Sequence, residues 1–93
     1  MLHQFSFEVF GRVQGVFFRR YTVQQAKRLG LTGFCSNTNS QSVKGVAEGE
    51  PDKLSEFKHW LERTGSPKSR IDRLETSPMK SIYSRSFSEF TQR

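Results

Sequence analysis

The chain has little of what a secreted or membrane-bound protein needs. Cys35 is the one cysteine among 93 residues, so no disulfide can form within the chain. No apolar run follows the amino terminus at the length that a signal peptide or a membrane span requires. Linkers, repeats and low-complexity segments are absent as well. We therefore expect a cytoplasmic protein that forms one domain over residues 1–93.

Acidic residues are the minority among the charged side chains. Nine Asp and Glu stand against fifteen Lys and Arg, which gives a formal net charge of +6. Such a surface favours anionic partners, which include nucleic acid, acidic membranes and small phosphorylated compounds, and charge alone does not choose among them. The apolar content of 33%, with nine phenylalanines, is sufficient for one core.

The first third of the chain predicts a strand followed by a helix. Apolar residues alternate with polar ones between Phe5 and Val9, which is typical of a half-buried strand, and this pattern stops at Gly11. Apolar or small residues then recur at helical spacing, which predicts a helix over Phe18–Leu29. Gly30 follows at the position where a helix takes a left-handed terminal residue.

The remainder predicts a second helix and four more strands. The helix is predicted over Pro51–Thr64, because Pro51 suits a first helical position and Gly65 a helix end. The last predicted strand, Lys80–Phe87, contains several serines and has the least regular alternation of apolar and polar residues. The four strands are predicted over Leu31–Asn37, Ser42–Glu48, Arg70–Glu75 and Lys80–Phe87. The order of elements is β-α-β-β-α-β with an added C-terminal strand.

This order of elements restricts the topology. Each strand-helix-strand unit prefers a right-handed crossover, so both helices cover the same face of the sheet. We therefore predict the α/β (α+β) class, with a ferredoxin-like sandwich. Its two helices lie on one face of a mostly antiparallel sheet.

The segment GRVQGVFFRR, residues 11–20, connects the first strand to the first helix. Gly11 and Gly15 interrupt an otherwise apolar and basic stretch, which indicates a backbone shape that other residues avoid. Unpaired N–H groups at a helix start bind anions, and Arg19 adds a charged fork for phosphate oxygens. The glycine spacing is also typical of a simple tight turn, and it is not the loop of nucleotide hydrolases.

Several nearby residues have simpler interpretations. We interpret Phe17 and Phe18 as core residues and Arg20 as a solvated charge. Neither histidine has a partner at metal-ligand spacing. Cys35 has no visible base beside it, and we interpret it as a small hydrophobic residue in a strand.

Two blocks of the sequence resemble one known family. GRVQGVFFR, Gly11–Arg19, resembles the acylphosphatase signature G-x-V-Q-G-V-x-F-R at every specified position. GFCSNT, Gly33–Thr38, resembles the second block of that family, G-[aromatic]-x-x-N-T. The similarity extends from about Phe5 to Phe90, and Phe34 stands where relatives often carry tryptophan.

The resemblance implies hydrolysis of acyl phosphates to a carboxylate and inorganic phosphate, without a metal or another cofactor. It implies that Arg19 holds the substrate phosphate and that Asn37 orients the attacking water. The backbone cradle that it implies is formed by Gln14, Gly15, Val16, Phe17 and Phe18. Inorganic phosphate is then both product and competitive inhibitor, and we expect a monomer that binds neither nucleic acid nor a membrane.

The chemistry of these residue types agrees with that reaction. An asparagine can hold a water molecule but cannot accept its proton at neutral pH, so the site lacks a strong general base. The carboxylate that leaves an acyl phosphate has a conjugate acid of pKa about 4, so it departs without protonation. Positioning and electrostatic contacts are then sufficient for catalysis.

Two other functions stay open at this point. Ferredoxin-like sheets also serve as RNA-binding modules, although the third-strand segment SVKGVAEG has no aromatic residue on which a base would stack. A catalytically silent domain that binds phosphate is the second alternative, because the same loop binds an anion whether or not a water is oriented. Turnover of an acyl phosphate separates the enzyme from both.

Overall fold

The computed structural model describes residues 1–93, which form two helices and six strands. The helices are α1 (Phe18–Arg28) and α2 (Pro51–Arg63). The strands are β1 (Leu2–Arg12), β2 (Thr32–Asn37), β3 (Val43–Gly49), β4 (Arg70–Thr76), β5 (Lys80–Ile82) and β6 (Phe90–Gln92). All elements but the last predicted strand form close to their predicted bounds.

The six strands form one sheet in the order β4-β1-β3-β2-β6, with β5 beside β1. Every pairing is antiparallel except that of β2 with β6, which is parallel. Two helices packed on a mostly antiparallel sheet confirm the predicted ferredoxin-like fold. Neither helix has the length and apolar character needed to cross a lipid bilayer.

Aromatic side chains hold both helices on the same face of the sheet. The ring of Phe57 in α2 lies 5.7 Å from that of Phe7 in β1 and 5.8 Å from that of Phe90 in β6. Phe18, the first residue of α1, packs against Trp60 of α2 with ring centroids 5.9 Å apart. Because Phe18 belongs to this core, the start of α1 has a fixed position relative to the sheet.

The predicted strand over Lys80–Phe87 is wrong beyond Ile82. Ile82 pairs with Leu2, the first residue of β1, so the partner strand ends there and residues 83–89 have no edge to continue on. The chain instead crosses to the far side of the sheet, where β6 pairs with β2. The physical reason is the length of the partner strand, which alternation within 80–87 does not report.

The Glu48 carboxylate holds this crossing segment on the sheet. Its Oε1 accepts hydrogen bonds from the backbone N–H of Ser86 at 2.8 Å, from that of Phe87 at 3.0 Å and from the Thr32 hydroxyl at 3.0 Å. The side chain is fully buried. Burial by itself raises the pKa of Glu48, but these bonds and one from Gln4 outweigh burial and lower that pKa.

Candidate active site

The loop between β1 and α1 is held by hydrogen bonds to two distant segments of the chain. The Gln14 amide donates to the carbonyl oxygen of Thr38 at 3.0 Å and to that of Ser42 at 2.9 Å, which ties the loop to the β2–β3 turn. The Ser66 hydroxyl, just after α2, donates to the carbonyl oxygen of Val16 at 3.0 Å. The loop is therefore braced on both sides, although it contains neither helix nor strand.

The backbone of this loop turns twice into the left-handed region. Gly15 has φ +75° and Phe17 has φ +59°. The N–H groups of Gly15, Val16 and Phe17 donate to no acceptor in the chain. Two left-handed residues in three change the direction of the chain, and the carbonyl oxygens of Val16 and Phe17 accept bonds from Ser66 and Tyr21. The loop therefore leaves a run of N–H donors for an anion.

The start of α1 continues this run of donors. Phe17 precedes the helix and makes no capping hydrogen bond with its side chain, and the first helical turn has no acidic residue. The N–H groups of a first turn lack intrahelical acceptors and carry the positive end of the helix dipole. The loop and the helix start together form a cradle for an anion.

Arg19 and Asn37 lie on the walls of one open cavity beside this loop. The cavity has a volume of about 490 Å³, and Gly15, Phe17 and Phe18 also line it. This volume is in the range of small-molecule sites. No carboxylate side chain is among its lining residues, so its side-chain charges are all positive. The structure thus brings five of the seven predicted site residues to one cavity.

Gln14 and Val16 are the two predicted site residues whose side chains do not line the cavity. Gln14 braces the loop through the bonds described above, and Val16 is a buried core residue. Their backbone belongs to the loop all the same. For these two positions the side chain supports the loop and does not reach the cavity.

The guanidinium group of Arg19 is held by the carboxyl end of the chain. Its Nη1 donates to a backbone oxygen of Arg93 at 2.7 Å. The N–H of Arg93 donates in turn to the carbonyl oxygen of Cys35 at 2.8 Å, and its guanidinium lies 3.9 Å from the ring centre of Phe34. The segment after β6 therefore limits the positions that Arg19 can take.

Cys35 lies behind Arg19 but has no role as a nucleophile. It is fully buried, which confirms its interpretation as a small residue of the core. Burial raises the pKa of the Cys35 thiol to about 12, although the charge of Arg19 acts in the opposite direction. The thiol is therefore protonated at neutral pH, and a protonated thiol is a poor nucleophile.

The assignment of Phe17 to the core is wrong, whereas that of Phe18 is right. Phe18 is 1% exposed, but Phe17 is 70% exposed. The left-handed backbone at Phe17 turns its side chain away from the direction that helical periodicity predicts. Arg20 is exposed, as predicted, but it also borders the cavity. The helical position of Arg20 in the sequence did not indicate that it lies beside the cavity.

Sequence reasoning missed the residues that brace the site from far along the chain. Ser66 was not a candidate, because a serine after a helix is ordinary, and its bond to Val16 joins residues 50 positions apart. Gln92 lines the cavity because β6 lies beside β2, and that pairing was not predicted. Its only sequence signal is its place within the closing part of the chain.

A second depression of similar volume lies on the sheet face opposite the helices. It also measures about 490 Å³, but Glu8 and Glu75 are among its lining residues, with Lys44 as the one basic side chain. Carboxylates repel a phosphate, so this depression suits an anionic ligand less than the loop cavity does. No group of three or more His, Cys, Asp or Glu side chains is placed to hold a metal ion.

Comparison with known proteins places the chain in a family. A sequence profile described as Acylphosphatase matches residues 5–91. The chain belongs to the acylphosphatase family. It is 47% identical over 92 residues to Acylphosphatase-2 of Gallus gallus, with 99% of this chain and 89% of that relative covered. The family resemblance stated for the two sequence blocks is thereby confirmed, and it extends over nearly the whole chain.

Solved acylphosphatase structures have the same fold. The acylphosphatase of Bacillus subtilis superposes with a TM-score of 0.88 at 30% identity, covering 100% of this chain and 99% of that one. The acylphosphatase of Coxiella burnetii gives the same TM-score and identity, covering 99% and 93%. As an acylphosphatase, the chain is an enzyme that hydrolyses acyl phosphates.

Proposed function

We propose that the cavity beside the β1–α1 loop is the active site and that catalysis there requires no metal. The backbone from Gln14 to Phe18 and the guanidinium of Arg19 hold the phosphoryl group, and Asn37 orients the attacking water. The observation that carries this proposal is the coincidence of unpaired N–H groups, Arg19 and Asn37 around one cavity without a carboxylate.

The proposed cradle binds the phosphoryl group through charge and through fixed donors. The N–H groups of Gly15, Val16 and Phe17 have no other acceptor, so they need not break a bond to accept phosphate oxygens. Arg19 contributes a permanent positive charge whose position is limited by its bond to Arg93. Donors that are fixed before the reaction stabilise developing charge without reorganisation.

Asn37 is the residue proposed to place the water. It ends β2 and is exposed on the cavity wall, across from the helix that carries Arg19. An amide oxygen accepts a hydrogen bond from water and holds it, but does not take its proton at neutral pH. The proposal therefore assigns Asn37 to positioning and not to base catalysis.

The reaction itself needs little acid or base assistance. The water oxygen bonds to phosphorus, the bond from phosphorus to the bridging oxygen breaks, and its electron pair leaves with the carboxylate. The protons of the water end on the released phosphate and, at neutral pH, in solvent. Because the phosphoryl transition state is loose, its charge spreads over peripheral oxygens that the cradle contacts.

The proposed mechanism is tested with two substrates in excess chelator. Purified protein is mixed with benzoyl phosphate or with phenyl phosphate, and release of inorganic phosphate is measured. We expect turnover of benzoyl phosphate alone, because phenolate is a much poorer unprotonated leaving group than benzoate. Loss of turnover in chelator, with recovery on adding a divalent metal, would contradict the metal-free proposal.

We further propose that inorganic phosphate is a competitive inhibitor, since it presents the same oxygens to the cradle as the substrate does. We also propose that residues 1–93 act as one domain and as a monomer in the cytoplasm. Inhibition kinetics test the first statement. Light scattering on the purified protein tests the monomer, with a mass near 10.8 kDa expected.

A further inference from the structure

Phe17 combines two features that are unfavourable in a residue without a function. Its side chain is 70% exposed, and its backbone has φ 59° and ψ 24°, in the left-handed region. A bulky residue there is disfavoured by sterics, and glycine or asparagine adopts the same conformation more readily. Folding alone therefore gives no reason for a phenylalanine at this position.

Phe17 is the exposed apolar residue of the cavity wall. Phe17 lines the same cavity as Arg19 and Asn37, and it also borders a neighbouring depression with Tyr21 and Gln24. The other apolar residues of the cavity wall, Val13 and Phe18, are each 1% exposed. Phe17 is thus the one apolar residue of the cavity wall whose side chain has substantial exposed surface.

An acyl phosphate has two parts, and the cradle accounts for one of them. If the phosphoryl group contacts the N–H groups of the loop, the acyl group extends away from them toward the cavity mouth. The ring of Phe17 belongs to the same residue as one of those N–H groups. The distance from cradle to ring is therefore short enough for a single small molecule to reach both.

We propose that Phe17 contacts the acyl group of the substrate and sets a preference for aromatic over small aliphatic acyl phosphates. This inference rests on the proposed binding of the phosphoryl group at the loop. An aromatic acyl group buries its ring against the exposed ring of Phe17, whereas an acetyl group covers little of it. Pairs of aromatic rings gain about 0.5–1.5 kcal/mol beyond area burial, which corresponds to about 2- to 12-fold in affinity.

The test compares an aromatic and an aliphatic ligand in matched variants. Phe17→Asn removes the ring but retains a residue that tolerates the left-handed backbone. Phe17→Tyr keeps the ring. Tyr21→Ala removes a neighbouring aromatic side chain that is 38% exposed and does not line the cavity, so it serves as the control.

Two readouts are measured for each protein. The first is the ratio of kcat/KM for benzoyl phosphate to that for acetyl phosphate. The second is the ratio of the dissociation constants of benzoylphosphonate and acetylphosphonate, which carry a P–C bond and are not hydrolysed by the same route. Inhibition by inorganic phosphate is measured in parallel, because it contacts the cradle but has no acyl group.

We expect Phe17→Asn to lower the kcat/KM ratio by about 3- to 10-fold and to raise the ratio of dissociation constants by about the same factor, with the phosphate inhibition constant unchanged. Phe17→Tyr and Tyr21→Ala should keep the wild-type ratios. Unchanged ratios in Phe17→Asn would overturn the inference, as would an equal loss of both ligands together with phosphate. If inorganic phosphate did not compete with either phosphonate in the wild type, the proposed cradle itself would be wrong.

Discussion

Gly15→Ala is the substitution that best separates the proposed cradle from an ordinary turn. Gly15 has φ +75°, and a Cβ added there meets no heavy atom within 4 Å. Gly30 is a matched control, because it has φ +72° and equally open surroundings but follows α1 at the end remote from the loop. The two substitutions therefore impose the same backbone strain at two sites.

The two alanine variants should lose nearly the same stability. A left-handed residue with a Cβ costs about 1–2 kcal/mol relative to glycine. For a chain of 93 residues, each kcal/mol lost from the free energy of unfolding lowers Tm by roughly 4–8 °C. Gly11→Ala, in contrast, should disrupt folding, because its Cβ would overlap the carbonyl oxygen of Arg70 in the paired strand.

Activity should distinguish Gly15→Ala from Gly30→Ala where stability does not. The new methyl group projects from a residue that lines the cavity, next to N–H groups that the proposal assigns to phosphate. A displacement of about 1 Å in such a site costs on the order of 100-fold in rate. We expect that loss in kcat/KM for Gly15→Ala, with weaker inhibition by inorganic phosphate, and neither effect for Gly30→Ala.

The assay combines urea unfolding with benzoyl phosphate turnover per folded molecule. Equal unfolding midpoints for the two variants, with activity lost in one only, is the expected pattern. If Gly15→Ala lost stability as Gly30→Ala does but kept wild-type turnover and phosphate inhibition, Gly15 would only form a turn and the cradle would have to lie elsewhere.

Two further predictions concern charged residues. Arg19→Gln should weaken phosphate binding, measured by calorimetry, and lower turnover as well, because the charge of Arg19 contacts the phosphoryl group in both the ground state and the transition state. Arg28→Gln, on the exposed last turn of α1, should change neither. Unchanged phosphate affinity in Arg19→Gln would assign this role to another residue. Glu48→Gln should unfold at a lower urea concentration than wild type at pH 7, and the difference between the two urea midpoints should narrow as pH falls below about 4.5. The reason is that the folded pKa of Glu48 lies under its ordinary value of 4.5. Such a carboxylate stabilises the fold above that pH and loses this contribution on protonation. A difference that stayed constant between pH 7 and pH 3 in urea unfolding would contradict the latter prediction.

The sequence predicted most of the fold because its signals are local. Alternation around Phe5, the proline at position 51 and the glycine at position 30 each report the structure of their own segment. The helix start at Phe18 was predicted to the residue, since an apolar helical repeat begins there. Element order and the handedness of crossovers then leave few topologies.

Contacts between distant segments could not be read in the same way. Glu48 reads as the outward residue of an alternating strand, yet it is fully buried because the segment around Ser86 lies over it. That segment was predicted as strand, since alternation does not show where β1 begins. The bond from Arg19 to Arg93 depends on the same segment and was missed for the same reason.

At the site, the resemblance indicated which residues to consider, and the structure added what their side chains do. Arg19 and Asn37 lie 18 positions apart in sequence, and only the folded chain brings both to one cavity. The exposure of Phe17 depends on one backbone angle, which residue type did not predict, because phenylalanine rarely adopts a left-handed conformation.

The central claim, that phosphate binding and water positioning belong to different residues, is tested most directly at Asn37. Asn37→Ala should lower kcat for benzoyl phosphate by about 100-fold, while the inhibition constant of inorganic phosphate stays at its wild-type value, because the loop and Arg19 are unchanged. Asn37→Asp should impair both, since a carboxylate near the phosphate repels it by about 1–4 kcal/mol, and acidification should partly restore both. Full activity in Asn37→Ala, or turnover in Asn37→Asp that equals or exceeds the wild type, would contradict the account.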